Sequence, residues 1–311
     1  MENTKTAELL TNKSLPSNGK SNLKTRHHNQ KIYFGLLWIG GAITIAILLA
    51  VVGYVVTNGF KVIDWEFLTT APRGGLSGEG GISTTIVTTF YLVVLTILFA
   101  TPLGIGAAIY LVEYAGETNV SSKFIKGLIS VAHFGVETLA GIPSILYGLF
   151  GYSLFVSTLH FGFSLLSASL AGACLILPTI IRTTEEALLT VPDSYREGSL
   201  ALGATKWQTI RNIVLPAALP GIITGIMLSI GRVVSETAVF YVTLGGSYRM
   251  PTSIMSGGRT MALHLYYLAM DTNAFDKAMG TGAILIVSIV LLNLIIDFIS
   301  RKLTAGVREI Q

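Results

Sequence analysis

Residues 185–216 read EEALLTVPDSYREGSLALGATKWQTIRNIVLP and form a polar segment between two long apolar runs. Asp193 or the serine after it can cap a first short helix, and Thr205 can cap a second one. Gly203 lies between the two, where it can adopt the left-handed backbone conformation that other residues resist. Pro216 stands at the start of the next apolar run, where its missing N–H costs little. The segment therefore predicts two short helices that meet at a glycine elbow.

The composition around this segment is that of a membrane protein. Of 311 residues, 51% are hydrophobic and only 12% are charged, whereas about 25% of the residues of a soluble domain are charged. The 33 glycines suit this class, since small residues let membrane helices approach closely. The single cysteine, Cys174, leaves no disulfide framework within the chain and no cysteine metal site. His133 and His264 have no partners at ligand spacing, so we predict no metal.

Six apolar runs are long enough to cross a bilayer, which takes about 20 residues. They are 32–57, 82–112, 130–156, 161–181, 216–243 and 280–300. Six spans place both chain ends on one side, and the positive-inside rule identifies that side as the cytoplasm. Fifteen lysines and arginines fall in the segments that are then cytoplasmic, against five in the outside segments. We therefore expect an all-α polytopic membrane protein with both termini inside.

The segments outside the spans are polar or amphipathic. Residues 1–31 are basic and polar, which predicts a disordered cytoplasmic tail before a first transmembrane helix, 32–57, that is retained as an anchor. Basic tails beside membrane helices are common, so we predict no nucleic-acid partner. Residues 303–311 form a second cytoplasmic tail. The outside segment 244–279 contains LHLYYLAM, a short amphipathic stretch that we expect along the outer surface.

Two charges interrupt the fifth apolar run, in the stretch GRVVSETAVF at 231–240. A charge near the bilayer centre costs about 2.5–3.5 kcal/mol on insertion scales, so Arg232 and Glu236 need a physical reason. Two reasons stay open. Arg232 attracts a permeating anion that Glu236 helps to release, or the two form a self-neutralising structural pair one helical turn apart. Thr237, which offers a hydroxyl, and Glu137, in the third run, are further candidates for a substrate path.

The elbow carries a family resemblance. Glu197-Gly198-Ser199, three residues, Gly203, nine residues and IVLP at 213–216 resemble the EAA loop of ABC-importer permeases. By its pattern alone, the elbow could also be an amphipathic helix pair that rests on the bilayer. The resemblance instead implies a coupling loop, 185–216, that docks onto a cytoplasmic ATPase. The residues that it assigns to coupling are Glu197, Gly198, Ser199, Leu202, Gly203, Ala204, Thr205, Trp207 and Pro216.

The resemblance covers residues 32–303 and narrows to the A-type subunit of the phosphate-specific branch. The stretches that carry it include TLAGIPSILYGLFG (138–151), GRVVSETA (231–238) and PTSIMSGGRTMALHLYYLA (251–269). It implies the type I ABC importer permease fold, with 82–302 as the permease core, in the cytoplasmic (inner) membrane of a prokaryote. The implied substrate is phosphate. The implied partners are the lipid bilayer, a C-type permease, an ABC ATPase dimer and an extracytoplasmic phosphate-binding protein.

The chain contains no G-x-x-x-x-G-K-[ST] sequence, the loop that cradles nucleotide phosphates. We therefore expect a non-catalytic subunit that binds no cofactor, while the partner ATPase uses ATP and Mg²⁺. Two other functions remain open. The chain could serve an importer of another oxyanion, molybdate or sulfate, or it could be an ion-coupled secondary transporter with Arg232 and Glu236 as an ion relay. The spacing of the elbow disfavours the second, because a secondary transporter has no ATPase to dock.

Overall fold

The computed structural model describes residues 18–73, 78–115 and 123–308, and these are mostly helical. The helices are α1 (Asn18–Gly59), α2 (Trp65–Thr69), α3 (Ser83–Ile109), α4 (Lys123–Ala140), α5 (Ser144–Gly151), α6 (Leu165–Leu189), α7 (Asp193–Ala201), α8 (Lys206–Thr209), α9 (Leu215–Ser235), α10 (Ala238–Thr243), α11 (Met261–Met270) and α12 (Phe275–Arg308). Three π-helical segments continue α3, α5 and α8, at Tyr110–Tyr114, Tyr152–Thr158 and Ile210–Val214. Two short antiparallel strands, β1 (Pro72–Arg73) and β2 (Glu79–Gly80), precede α3.

Helix α1 begins earlier than the sequence predicts. The predicted tail at 1–31 is helical rather than disordered from Asn18 onward, and residues 1–17 lie outside the described residues. The chain divides into two units, Met1–Tyr54 and Val55–Gln311. The described part of the first unit is α1 up to Tyr54, a helix with exposed apolar side chains. A helix that is apolar on all sides is suited to a lipid environment.

Within the described residues, five helical segments are long and apolar enough to cross a membrane. They are Tyr33–Gly59, Ser83–Tyr114, Leu165–Leu189, Lys206–Ser235 and Phe275–Lys302. These match five of the six predicted runs, although the span that matches the run at 216–243 begins earlier, at Lys206, and ends at Ser235. The described C-terminal tail continues α12 as helix to Arg308.

The predicted third span, 130–156, is not one continuous helix. The chain bends by 109° between Ile129–Ala140 and Ser144–Thr158. Pro143 causes the break, because proline has no N–H to donate and disfavours helical geometry at the residue before it. At the break, the Leu139 carbonyl accepts from the Tyr147 hydroxyl at 2.7 Å and from the Ile142 N–H at 3.2 Å.

Helices α3 and α6 run parallel in close contact. A Cβ at Gly104 of α3 would lie 2.6 Å from Ile180 Cγ2, and a Cβ at Gly172 of α6 would lie 3.2 Å from Thr96 Cγ2. Because both pairs advance in the same direction along the chain, the segment between the two helices must return across the membrane. The bent pair α4–α5 therefore returns the chain between them, and with this pair counted as one span the described residues contain the six predicted apolar spans.

The outer segment between α10 and α12 is held by buried polar contacts. The Arg259 guanidinium donates from Nε to the Gly246 carbonyl at 2.8 Å and lies 4.1 Å from the centre of the Tyr267 ring. Burial, with the Arg259 and Lys277 charges nearby, lowers the pKa of His264 to about 4, so this histidine is neutral at physiological pH. The predicted amphipathic stretch is helix α11, which buries Leu263 and His264 and exposes Tyr266 and Met270.

Replacing Gly104 with alanine tests the close approach of α3 and α6. The added methyl group would meet the buried Ile180 side chain, and such overpacking typically costs about 1–3 kcal/mol. Gly106 is the matched control on the same helix, because a methyl group there meets no atom within 4 Å. We expect a lower thermal unfolding midpoint in detergent for Gly104→Ala only. Equal midpoints for Gly104→Ala and Gly106→Ala would contradict this packing.

Candidate functional site

The predicted elbow forms between α7 and α8. Gly203 has a φ of 84°, the left-handed conformation that the sequence predicts, and space is open around it. Thr205 caps α8 as predicted, since its hydroxyl accepts from the Gln208 N–H at 3.3 Å while the Gln208 side chain accepts from the Thr205 N–H at 2.8 Å. The prediction that Asp193 or Ser194 caps α7 is wrong. Pro192 holds the cap position without a side-chain hydrogen bond, and Asp193 is already helical.

The elbow presents apolar side chains to solvent. Leu202, which ends α7, is 90% exposed, and Trp207 on α8 is 54% exposed. Such exposed apolar side chains are typical of a docking surface for another protein. The Ser199 hydroxyl lies 2.9 Å from the Thr209 hydroxyl, so a hydrogen bond joins the two elbow helices. The other predicted coupling residues are placed along the same segment: Glu197 and Gly198 in α7, Ala204 beside Gly203, and Pro216 in the first turn of α9.

The elbow is anchored in an apolar cluster at the cytoplasmic ends of the membrane helices. Val191 precedes α7, while Ile210 and Val214 follow α8, and all three are buried. They belong to one cluster with Ile181 and Leu188 of α6. Because the elbow is packed at both ends, a force on it reaches the membrane helices directly.

Arg196 of α7 makes a set of contacts that the sequence did not predict. Its Nη2 and Nε donate to Glu113 Oε1 at 2.8 and 3.1 Å. Its Nη1 donates to the Val191 carbonyl at 2.7 Å and to Asp193 at 3.2 Å, and its Nη2 also donates to the Leu188 carbonyl at 2.9 Å. The side chains of Glu113 and Arg196 are only 7% and 17% exposed. No local signal pairs two residues so far apart in sequence.

A second contact joins the elbow to the same part of α3. The Lys206 ammonium of α8 lies 4.7 Å from the centre of the Tyr114 ring, which is typical of a cation–π interaction. Tyr114 and Glu113 both lie in the π-helical segment Tyr110–Tyr114 that ends α3. Both elbow helices are therefore attached to one turn at the cytoplasmic end of α3.

Arg232 lies in the last turn of α9. Its side chain is half-buried and close enough to the Tyr147 phenol of α5 for the two to interact electrostatically. Among the described residues, its guanidinium has neither a hydrogen bond nor an ion pair. The structure therefore places an uncompensated cation in a membrane helix, next to the broken α4–α5 pair.

The sequence predicted that Glu236 lies one helical turn beyond Arg232 on the same helix, and this prediction is wrong. Helix α9 ends at Ser235, and Glu236 is extended, with φ −73° and ψ 130°. The Glu236 carboxylate accepts from the Val239 N–H of α10 at 3.2 Å, so it satisfies a free donor of that helix instead of pairing with Arg232. Thr237 stands at the cap position of α10, and its hydroxyl makes no capping hydrogen bond there.

Glu137 lies apart from this group. It is exposed on α4, and no contact within the described residues joins it to Arg232, Glu236 or Thr237. One turn earlier on α4, His133 Nδ1 lies 3.9 Å from Glu185 Oε1 of α6. Across the described ranges, no three histidine, cysteine, aspartate or glutamate side chains are grouped so that they could hold a metal ion.

The chain is similar to membrane components of bacterial transport systems. Residues 128–309 match the family described as binding-protein-dependent transport system inner membrane component. The probable ABC transporter permease protein YqgI of Bacillus subtilis is 32% identical over 301 residues, which cover 90% of this chain and 99% of that protein. The phosphate transport system permease protein PstA of Mycobacterium leprae is 37% identical over 246 residues, which cover 77% of this chain and 78% of that protein.

A solved structure of a bacterial alginate ABC transporter, in complex with an alginate pentasaccharide-bound periplasmic protein, contains a chain of the same fold. The TM-score is 0.65 at 17% identity, and the match covers 90% of this chain and 97% of that chain. The present chain belongs to the family of binding-protein-dependent transport system inner membrane components. It is a multi-pass inner membrane protein and a non-catalytic permease subunit of an ABC transporter, and such subunits work with a binding protein and an ATPase.

Replacing Gly203 with valine tests the elbow. The left-handed conformation costs a residue with a side chain roughly 1–2 kcal/mol, so the elbow should change shape although space is open around it. We expect ATP hydrolysis by the assembled transporter to continue while substrate uptake falls. Gly106→Ala is the control, since Gly106 lies within α3, outside the elbow, and a methyl group there meets no atom within 4 Å. Wild-type uptake by Gly203→Val would show that the elbow does not need this conformation.

Proposed function

We propose that this chain is the transmembrane permease subunit of an ATP-driven ABC importer for inorganic phosphate. It would form half of the translocation path and couple to a cytoplasmic ATPase through the elbow at 185–216. The similarity to a phosphate transport system permease protein supports the substrate, at 37% identity over 77% of this chain. The exposed elbow with its anchored ends supports the coupling role.

The unpaired Arg232 guanidinium is the observation that carries the substrate class. An ionised side chain within a membrane helix is costly, and such residues mark substrate or ion pathways by default. Arginine stays protonated, and its planar fork matches the oxygen atoms of phosphate. Because the Arg232 guanidinium makes no hydrogen bond or ion pair among the described residues, its donors remain available to an anion. We infer that Arg232 binds phosphate as it passes through the membrane.

The position of Glu236 disfavours a structural ion pair with Arg232 and is compatible with a role in releasing the anion. While its carboxylate accepts from the Val239 N–H, it does not compete with an anion for Arg232. If α10 moves relative to α9, the carboxylate can leave that N–H and turn to Arg232. It would then displace the bound anion, or accept the hydrogen of a protonated phosphate, which sulfate lacks at neutral pH. Thr237 lies between the two helices and follows the same movement.

We propose that this chain works with three kinds of partner protein. A second, C-type permease would complete the path, an ABC ATPase dimer would hydrolyse ATP with Mg²⁺, and an extracytoplasmic binding protein would deliver phosphate. The chain itself carries no phosphate-cradling P-loop sequence, so we propose that it binds no cofactor. We propose that Glu137, which is exposed on α4, lines the path beside the second permease.

Substituting Arg232 and Glu236 separately tests the path. Charged hydrogen bonds contribute about 1.5–3 kcal/mol, so Arg232→Gln should lower phosphate uptake by roughly 10-fold or more. Glu236→Gln keeps an oxygen that can accept from the Val239 N–H, so it removes the charge but not the helix contact. It should slow transport while leaving the assembled transporter as stable as wild type. Uptake of radiolabelled phosphate into proteoliposomes that contain the complete transporter measures both effects.

The same assay distinguishes the substrates. Unlabelled phosphate should suppress the uptake, whereas equal concentrations of sulfate or molybdate should leave it unchanged. Suppression by molybdate or sulfate instead would assign the importer to another oxyanion. Uptake that persists without the ATPase would indicate a secondary transporter. Full phosphate uptake by a normally assembled Arg232→Gln transporter would exclude Arg232 from the path.

A further inference from the structure

Helix α3 differs from its neighbours in how it is joined to the elbow. Helix α6 leads into the elbow at Leu189, and the elbow continues into α9 through Ile210–Val214, so both are covalently connected to it. Helix α3 has no such connection: it packs along α6 and meets the elbow at its cytoplasmic end. A movement of the elbow therefore reaches the cytoplasmic end of α3 directly only through these end contacts.

The contact between Arg196 and Glu113 has the geometry of a rigid joint. A guanidinium presents five donors in a fixed plane, and Arg196 uses them on three different elements. They are the end of α3 through Glu113, the end of α6 through the Leu188 carbonyl, and the start of the elbow through the Val191 carbonyl. A single side chain therefore fixes the relative positions of three helices at one point.

Stability alone does not account for this pair. Desolvation of two charges often cancels their attraction, so apolar residues of similar size can stabilise a buried site equally well. What an ion pair adds is a defined orientation. Moreover, α3 becomes π-helical at Tyr110–Tyr114, where it meets the elbow, and the elbow becomes π-helical at Ile210–Val214. Single π-helical turns within α-helices are frequent at functional sites.

We propose that Arg196 and Glu113 form the joint through which the elbow moves α3 during each transport cycle, with Lys206 and Tyr114 as a second attachment. The inference rests on the proposed function, because it concerns how ATP hydrolysis drives transport. Arg196 is then a positioning residue, which contacts neither phosphate nor ATP. Without the joint, the ATPase still closes and hydrolyses ATP, but the cytoplasmic end of α3 is no longer fixed to the elbow, and fewer phosphate ions cross per ATP.

The ratio of phosphate transported to ATP hydrolysed tests this joint in proteoliposomes containing the complete transporter. Glu113→Gln is the primary variant, because glutamine keeps the shape and one acceptor but removes the charge. Coupling between distant sites commonly amounts to a factor of 5–150, so we expect the ratio to fall at least about 5-fold. ATP hydrolysis itself should remain near the wild-type rate. A purely structural role would reduce hydrolysis and transport together and leave the ratio unchanged.

Arg301→Gln is the matched control. Arg301 forms an exposed ion pair with Asp297 within α12, at 2.9 Å and with side-chain exposures of 79% and 45%. Its loss should leave the ratio at the wild-type value. If Glu113→Gln does not assemble, Arg196→Lys decides. Lysine keeps the positive charge beside Glu113 but cannot reach Glu113 and two carbonyls together, so the ratio should again fall.

The outcomes separate this inference from the proposed function. A wild-type transporter that carries no phosphate would overturn the proposed function. A wild-type transporter that carries phosphate, with an unchanged ratio in the assembled Glu113→Gln or Arg196→Lys transporter, would overturn the joint. An equal fall in the ratio for Arg301→Gln would also overturn it, because the effect would not be specific to the Arg196–Glu113 contact.

Discussion

Helices α3 and α6 run parallel and approach so closely that a side chain of the other helix fills the space beside Gly104 and leaves little room beside Gly172. Without hydrophobic driving force in lipid, membrane helices associate through such packing. When two membrane helices of one chain run parallel, the segment that connects them must cross the membrane in the opposite direction. The bent pair α4–α5 makes that crossing, and its break lies near Arg232. The packing of α3 on α6 thus determines where irregular backbone enters the membrane.

The same arrangement connects the cytoplasmic elbow to the membrane arginine. Pro216 and Arg232 stand on one helix, α9, separated by roughly 24 Å at 1.5 Å per residue. Gly221 packs against Ala187 of α6 near the elbow end of this helix. Beyond Arg232 the helix stops, and α10 continues after a break. Because α9 ends just beyond Arg232, a displacement of its cytoplasmic end can change the surroundings of Arg232.

The sequence predicted the elements whose signals are local. Gly203 and Thr205 behave as predicted because left-handed glycine and hydroxyl capping depend on a few neighbouring residues. The long apolar runs also became helices. In contrast, the break after Ser235 contains no proline or glycine, so hydropathy alone predicted a continuous helix. Pro143 did carry a local signal for the break in the third run, but the apolar pattern on both sides concealed it.

Contacts between distant segments account for what the sequence did not reveal. Glu113 follows the end of a predicted span and Arg196 precedes a motif residue, and each has an ordinary interpretation as a solvated charge. Only the parallel packing of α3 and α6 brings them together. Likewise, Arg232 and Glu236 have the spacing of an ion pair on a helix, and only the break directs the carboxylate to Val239. Burial and partner choice at these positions follow from tertiary structure.

We infer that movement of the elbow exposes the Arg232 region to alternate sides of the membrane. Ser235 is exposed three residues after Arg232, and Cys174 is the single cysteine of the chain, so a Cys174→Ser, Ser235→Cys transporter carries one reporter thiol. Its reaction with a membrane-impermeant maleimide, applied to either side of proteoliposomes with and without trapped nucleotide, measures exposure directly. We expect the side from which the maleimide reacts with this thiol to change when nucleotide is trapped. Reaction from the same side in both states would contradict it.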